Sequence, residues 1–274
     1  MTLFAQGAVV FLVDNTEKQI LDLELLIPGC RLTRLGFNSG IAHALNIGIQ
    51  SALKEGADVI ALFDQDSLID ANFLSTLVAH LMPGVPSVVA PMYYDDISHK
   101  ELPSLILSKY GLPSAIQRHT QQSTYPVDIV ISSGTVATRE AYERAGLLDE
   151  SLFIDFVDTE WCFRCRDKEI PINVVPEVVM LHRIGRRSID TGIVNVFVHS
   201  PERCYYQLRN CLLLFGKIHI PLFFSIYQLF TVLVNRLLLL FFVKNRINYL
   251  KAYAAALRDG TTGVSGPNPR KIQT

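Results

Sequence analysis

The sequence predicts an α/β fold: a mainly parallel sheet flanked by helices, followed by an apolar helical tail. Three observations carry that expectation. Apolar runs without polar alternation, "AVVFLVDN" at 8–15, "EGADVIALF" at 55–63 and "SVVAPM" at 87–92, read as strands buried on both faces. Helix-spaced stretches lie between them, the alternation that builds parallel β-α-β units. Residues 218–243 are almost wholly apolar.

The first run ends in Asp14. A helix follows over 41–54, where Ile41, Leu45, Ile49 and Leu53 recur every four residues and make one buried stripe. Asn38 or Ser39 can cap it. The second run opens after a turn and ends in two carboxylates, Asp64 and Asp66. A helix over 71–81 is stopped by Pro83 and Gly84, and the third strand comes next. Residues 95–126, with Pro103, Pro113 and Pro126, read as loop with a weak strand. The run "VDIVISSGTVAT" at 127–138 is a strand broken at Ser132, Ser133 and Gly134. "REAYERAG" is a short helix stopped by Gly146. "DFVDTEWCFRCRDK" is a helix start dense in acids, and "INVVPEVVMLHRIG" is one or two strands ending at His182. In open sheets of this kind ligands bind beyond the carboxyl ends of the strands, where Asp14 and Asp64 fall.

At 49% hydrophobic and 19% charged, the 274-residue chain has enough apolar content for a large core and is not a disordered polymer. Its net charge of −1 hides an asymmetry. From Arg203 onward there are ten Lys or Arg against one acid, Asp259; before it, fifteen bases face twenty-five acids. A basic, apolar tail on an acidic body points to an anionic membrane surface, not nucleic acid, as partner; a tail folded back on the body is the alternative. The five cysteines are odd in number and not spaced as a disulfide framework. Cys162-x-x-Cys165 has no second pair for zinc and reads as helix packing.

Two acids at a strand end repel unless a cation lies between them. Hard oxygen ligands suit Mg²⁺ or Mn²⁺, which bind through one or two carboxylates plus substrate phosphates. A calcium-binding EF-hand is excluded, because "DQDSLIDANFLS" lacks the required Gly and ends in Ser75 where Glu belongs. A structural D-x-D capping the next helix stays open on these residues alone. A nucleotidyltransferase would need a Gly-rich, basic phosphate loop near the start, and none is visible.

Four separated motifs, "NSGIAHALNIGI" at 38–49, "DQDS" at 64–67, "DFVDTEW" at 155–161 and "MLHRIG" at 180–185, occur in one order. In this the chain resembles family 2 glycosyltransferases of the GT-A fold, and most of all bacterial rhamnosyltransferases, over roughly residues 8 to 215. The resemblance implies an inverting, metal-dependent sugar transfer from a nucleotide sugar, dTDP-rhamnose. It implies that Asp14, Asn15, Asn38, Gly40 and Asp64 hold the donor nucleotide, and that Asp66 and His182 hold Mg²⁺ or Mn²⁺ at the diphosphate. Asp158 is then the catalytic base. Ser133 and Gly134 lie near the donor sugar and acceptor. Trp161 offers a sugar a flat face or sits in the core, and Arg209 meets the diphosphate or sits on a solvated helix. Glu160 and Arg164, four apart, form a structural pair.

The expected organisation is a glycosyltransferase domain over 1–215, an apolar and basic helical tail over 216–260 that associates with membrane, and a flexible end over 261–274. One or two helices lying on the cytoplasmic face of the bacterial inner membrane fit the tail, because Arg236 is costly in hydrocarbon; a single span is the runner-up. Such a surface fits a lipid-linked saccharide acceptor in surface-polysaccharide synthesis. Relatives begin with a further strand and helix, so the chain is expected to lack their first β-α unit; a non-catalytic remnant or membrane-bound partner protein is the alternative function.

Overall fold

The computed structural model describes residues 2–18, 27, 29–65, 67–95, 101–102, 104–116, 123–182, 188–190 and 195–270, and for 182, 188–190 and 195–197 the backbone alone. A helical turn, α1 (Thr2–Ala5), leads into β1 (Phe11–Asp14), which pairs in parallel with β2 (Arg31–Arg34) and sets Asp14 opposite Arg34. Helix α2 (Ile41–Lys54) follows the predicted bounds and buries Ala42, Ala44, Asn46, Ile49 and Ala52. Its start departs from expectation. Gly40, at φ 88°, is the N-cap and no side chain caps it. The Ile41 amide donates instead to the Phe153 carbonyl at 2.8 Å. A tertiary acceptor satisfies the first orphan donor, so neither Asn38 nor Ser39 has to.

The body continues with β3 (Val59–Ala61), α3 (Phe73–Ala79), β4 (Val88–Asp95), β5 (Glu101–Leu102), β6 (Ser104–Leu107), β7 (Pro113–Ile116), β8 (Tyr125–Pro126), β9 (Val136–Thr138), α4 (Arg139–Ala145), α5 (Val157–Asp167) and β10 (Ile172–His182). The central sheet runs β3-β9-β4-β10-β8, with β5 also on β4. The α/β class is as predicted, but the pairing is mixed and not mainly parallel. β1 with β2 and β4 with β10 are parallel, whereas β9 lies antiparallel between β3 and β4, and β8 lies antiparallel on β10. Among the described residues the β4–β9 connection holds strands and no crossover helix, so the chain returns in the opposite direction. β4 is the sheet's centre, with Val88, Val89, Ala90, Met92 and Tyr93 buried.

A hairpin, β11 (Ser188–Asp190) with β12 (Asn195–Phe197), precedes three helices: α6 (Pro201–Leu214), α7 (Leu222–Phe242) and α8 (Arg246–Thr261). The apolar 218–243 stretch is mostly α7. One side of it packs onto the body: Leu239 joins Cys204, Tyr205, Leu208, Tyr253 and Ala256 in one apolar cluster. Phe224 meets Phe163 of α5 edge-on, with ring centroids 4.6 Å apart. Arg236 is 4% exposed. Its guanidinium donates to Cys204 Sγ at 2.7 Å and Asn235 Oδ1 at 2.9 Å. Asp259, the tail's lone acid, is buried and accepts from the Tyr205 hydroxyl at 2.8 Å.

Candidate active site

Beyond β3 the chain enters the acidic stretch, and the broken run 127–138 explains how it is held. The Asp64 amide donates to Ser133 Oγ at 3.0 Å, and the Ser133 and Ser67 hydroxyls lie 2.7 Å apart. The Tyr93 hydroxyl donates to the Ser133 carbonyl at 2.9 Å. Gly134, at φ 81°, donates its amide to the Leu62 carbonyl at 2.7 Å, and a Cβ there would lie 2.5 Å from Met180 Sδ. Ser133 and Gly134 are both buried. In this structure they tie down the loop that bears Asp64.

That loop also meets β10. Leu68 bridges Leu181, the residue before His182, whose backbone lies opposite Asp95. Asp66 lies outside the described residues, as does the side chain of His182. Among the described residues no three His, Cys, Asp or Glu side chains gather as a metal site. The two segments that carry the expected ligands nevertheless pair with one another, and a carboxylate is the hard oxygen donor that Mg²⁺ or Mn²⁺ takes together with substrate phosphates.

At the end of β1, Asp14 Oδ1 accepts from the Thr16 hydroxyl at 2.7 Å. Asn15 ties this end to the start of α2. Its amide group donates to the Gly40 carbonyl at 3.1 Å, and its Oδ1 accepts from the Ser39 amide at 2.7 Å and hydroxyl at 2.8 Å. Asn38 Oδ1 accepts from the Gly40 amide at 3.1 Å. Asp14, Asn15, Asn38 and Gly40 thus form one continuous corner. Asn46 does other work: it exchanges hydrogen bonds of 2.9 Å with the Leu148 backbone and donates to Glu150 at 2.8 Å.

Asp158 opens α5. Its Oδ1 accepts from the Thr159 amide at 2.7 Å, and burial pushes its carboxyl above the ordinary range. It lines a small cavity with Leu62, Ile131, Ser132, Thr135 and Trp161. Trp161 is 4% exposed. Its indole donates to the Gly146 carbonyl at 2.9 Å and its ring packs at a 31° tilt against Tyr142, with centroids 5.2 Å apart. This is a core residue that also lines the cavity beside Asp158. Glu160 is buried and paired with Arg164 at 2.8 Å as expected, and also with His219 at 2.8 Å. Cys162 and Cys165 are buried and unpaired with each other.

Arg209 is 0% exposed. It donates to the Leu152 and Gly266 carbonyls at 3.0 and 2.5 Å and to Asn210 Oδ1, and so cannot meet a diphosphate. A different arginine of the same helix, Arg203, meets the segment that leads into Asp158. Its half-exposed guanidinium forks onto Asp155 at 3.0–3.3 Å. Asp155, and more weakly Asp64, favour its charged form against the cost of burial. Tyr93 lies within electrostatic reach of both Asp158 and Asp64. Leu62, just before the D-x-D loop, lines the same small cavity as Asp158, and Arg203 at the start of α6 is paired with Asp155 just before α5. Arg203 was missed because an isolated arginine on a helix start carries no signal until Asp155 is brought to it.

Residues 13–146 match the model of Glycosyl transferase family 2. Over 262 residues the chain is 37% identical to dTDP-rhamnosyl transferase RfbF of Shigella flexneri, covering 95% of this chain and 88% of that protein. The fold is similar to S. aureus TarS, with a TM-score of 0.54 at 13% identity over 93% of this chain and 43% of that one. It is also similar to GalNAc-T7 solved with UDP, GalNAc and Mn²⁺, with a TM-score of 0.51 at 15% identity over 65% of this chain and 38% of that one. These two likenesses speak to the fold, which is of the GT-A type.

Proposed function

The chain belongs to glycosyl transferase family 2, and on that premise we propose that it transfers rhamnose from dTDP-rhamnose, with inversion, to a hydroxyl of a lipid-linked saccharide. The observation that carries this reading is the 37% identity with a dTDP-rhamnosyl transferase across 95% of the chain. In the proposed reaction the acceptor hydroxyl gives its proton to the Asp158 carboxylate as its oxygen attacks the anomeric carbon, from the side opposite the departing diphosphate. Burial makes that carboxylate a stronger base than one in water. The Asp14–Asn15–Asn38–Gly40 corner and Asp64 receive the nucleotide, and Arg203, paired with Asp155, offers positive charge at the start of α6. Asp66 and His182 would hold Mg²⁺ or Mn²⁺, which would offset charge on the leaving diphosphate.

The reading includes attachment to the cytoplasmic face of the bacterial inner membrane. By length and composition α7 is apolar enough to cross a bilayer. A helix lying on the surface is supported better, because Arg236 and Leu239 are packed into protein while the other side of the helix is bare. Phe223, Tyr227, Phe230, Val234, Leu237 and Phe241 are exposed, Phe230 by 68% and Phe241 by 74%. Exposed Lys244, Arg246 and Lys251 follow, a charge pattern suited to anionic lipid.

The test is a panel of nucleotide sugars read by thermal shift with and without Mn²⁺, followed by transfer assays. dTDP-rhamnose is expected to raise Tm most, and Asp66→Ala to abolish the Mn²⁺-dependent part. A different preferred donor sinks the rhamnosyl assignment; unchanged Mn²⁺ dependence in Asp66→Ala sinks the metal assignment.

A further inference from the structure

Among the described residues four non-glycine residues have positive φ, and three of them fall within one four-residue stretch: Phe153 (65°), Asp155 (63°) and Phe156 (64°). Each such residue costs on the order of 1–3 kcal/mol and persists only where its surroundings over-determine it. This stretch leads directly into α5 and Asp158.

The surroundings are specific. Asn210 Nδ2 donates to the carbonyls of Leu152, Ile154 and Asp155 at 2.9, 2.8 and 3.0 Å. Its Oδ1 accepts from Arg209 Nε and Nη2 at 3.0 and 2.8 Å, which fixes the direction in which the amide points. Arg209 Nη2 also donates to Leu152. Among the described residues no carboxylate is bonded to this buried guanidinium; the Tyr205 and Tyr206 rings lie 5.5 and 5.0 Å from it. A buried cation without a direct counter-ion is an expensive way to pack a helix that an apolar residue would pack as well. From the opposite side, Gly40 leaves room for the Phe153 ring, and Ile41 donates to the Phe153 carbonyl.

We infer that Arg209 and Asn210 are positioning residues: as a pair on α6 they clamp the strained 152–156 turn, so that Asp158 is presented to the cleft. The inference rests on the reading of Asp158 as base. The role is not a substrate contact, since both residues are buried.

The experiment compares wild type, Asn210→Ala and Asp158→Asn, with dTDP-rhamnose as donor and an octyl rhamnoside as acceptor. In Asn210→Ala, kcat is expected to fall at least tenfold while donor KM changes less than twofold. Amides of 153–158 are expected to exchange with deuterium at least tenfold faster, with α2 and β10 unchanged. A kcat within twofold of wild type, a loss confined to KM, or unchanged exchange at 153–158 overturns the clamp. If Asn210→Ala does not yield folded protein, Asn210→Ser, which keeps one donor, is held to the same criteria. In the wild type itself the Phe153 and Ile154 amides, bonded to Glu150 and Leu152 carbonyls, are expected to be protected; rapid exchange there defeats the clamp without any variant. Full turnover in Asp158→Asn would remove the base assignment and leave the exchange result standing by itself.

Discussion

The Ser133 and Ser67 hydroxyls lie 2.7 Å apart, joining the break in one apolar run to the acidic loop that ends another. The pair, with the Asp64 amide on Ser133 Oγ, makes the loop that bears Asp64 depend on a residue 66 positions away from Ser67 in sequence.

Ser133→Ala removes that hydroxyl without changing the backbone. A net hydrogen bond is worth about 1 kcal/mol, so donor affinity is expected to fall roughly fivefold, with Tm lowered by only a few degrees. Donor titration by calorimetry checks this; unchanged affinity would mean that the loop is held by other means.

Asp158→Asn is expected to abolish transfer while leaving donor binding intact. It also carries a stability signature. A carboxyl raised in the folded state binds its proton more tightly there than in the unfolded chain. Wild-type stability therefore falls as pH rises from the unfolded value through the folded one. The amide has no such loss. The variant's Tm is expected to exceed the wild type's near neutral pH, and the gap to close in acid, where both side chains are uncharged. A Tm gap that does not change between acid and neutral pH would count against a raised Asp158.

Gly40→Ala is expected to damage the Asp14–Gly40 corner and the fold together. The position has φ 88°, and a Cβ would sit 2.6 Å from the Phe153 ring and 2.7 Å from its carbonyl oxygen. Strain and overlap together are expected to cost about 2 kcal/mol or more, read as a drop in Tm beyond that of Gly56→Ala, where nothing lies within 4 Å.

Phe230→Asp with Leu237→Asp is the test of the exposed side of α7. Both positions face solvent, so stability is expected to stay within about 0.5 kcal/mol. Co-sedimentation with vesicles of anionic lipid is expected to be lost. Equal sedimentation of the double variant and the wild type would sink the membrane assignment. Deleting residues after Gly216 is a poorer test, because it strips α7 and α8 from the α6 core that holds Arg209 and Asn210.

The segments that carry the candidate site were legible early because each is local. Acids at strand ends, the small-residue face of α2 and the acid-rich start of α5 each lie within one short segment, where spacing and residue type are informative. The same holds for α2's bounds and the paired Glu160 and Arg164, which need only a helical period.

By itself the sequence determined the α/β class, the segments that carry the carboxylates, and the apolar, basic nature of the C-terminal part. Only the tertiary structure decided which like residues do different jobs. Arg203 pairs with Asp155 while Arg209 is buried, Trp161 fills the core, Ser133 serves a loop, Arg236 lies inside protein, and β9 runs against its neighbours. Periodicity encodes that a side chain is buried; what it is buried against depends on partners tens to a hundred residues away, whose approach no local pattern records.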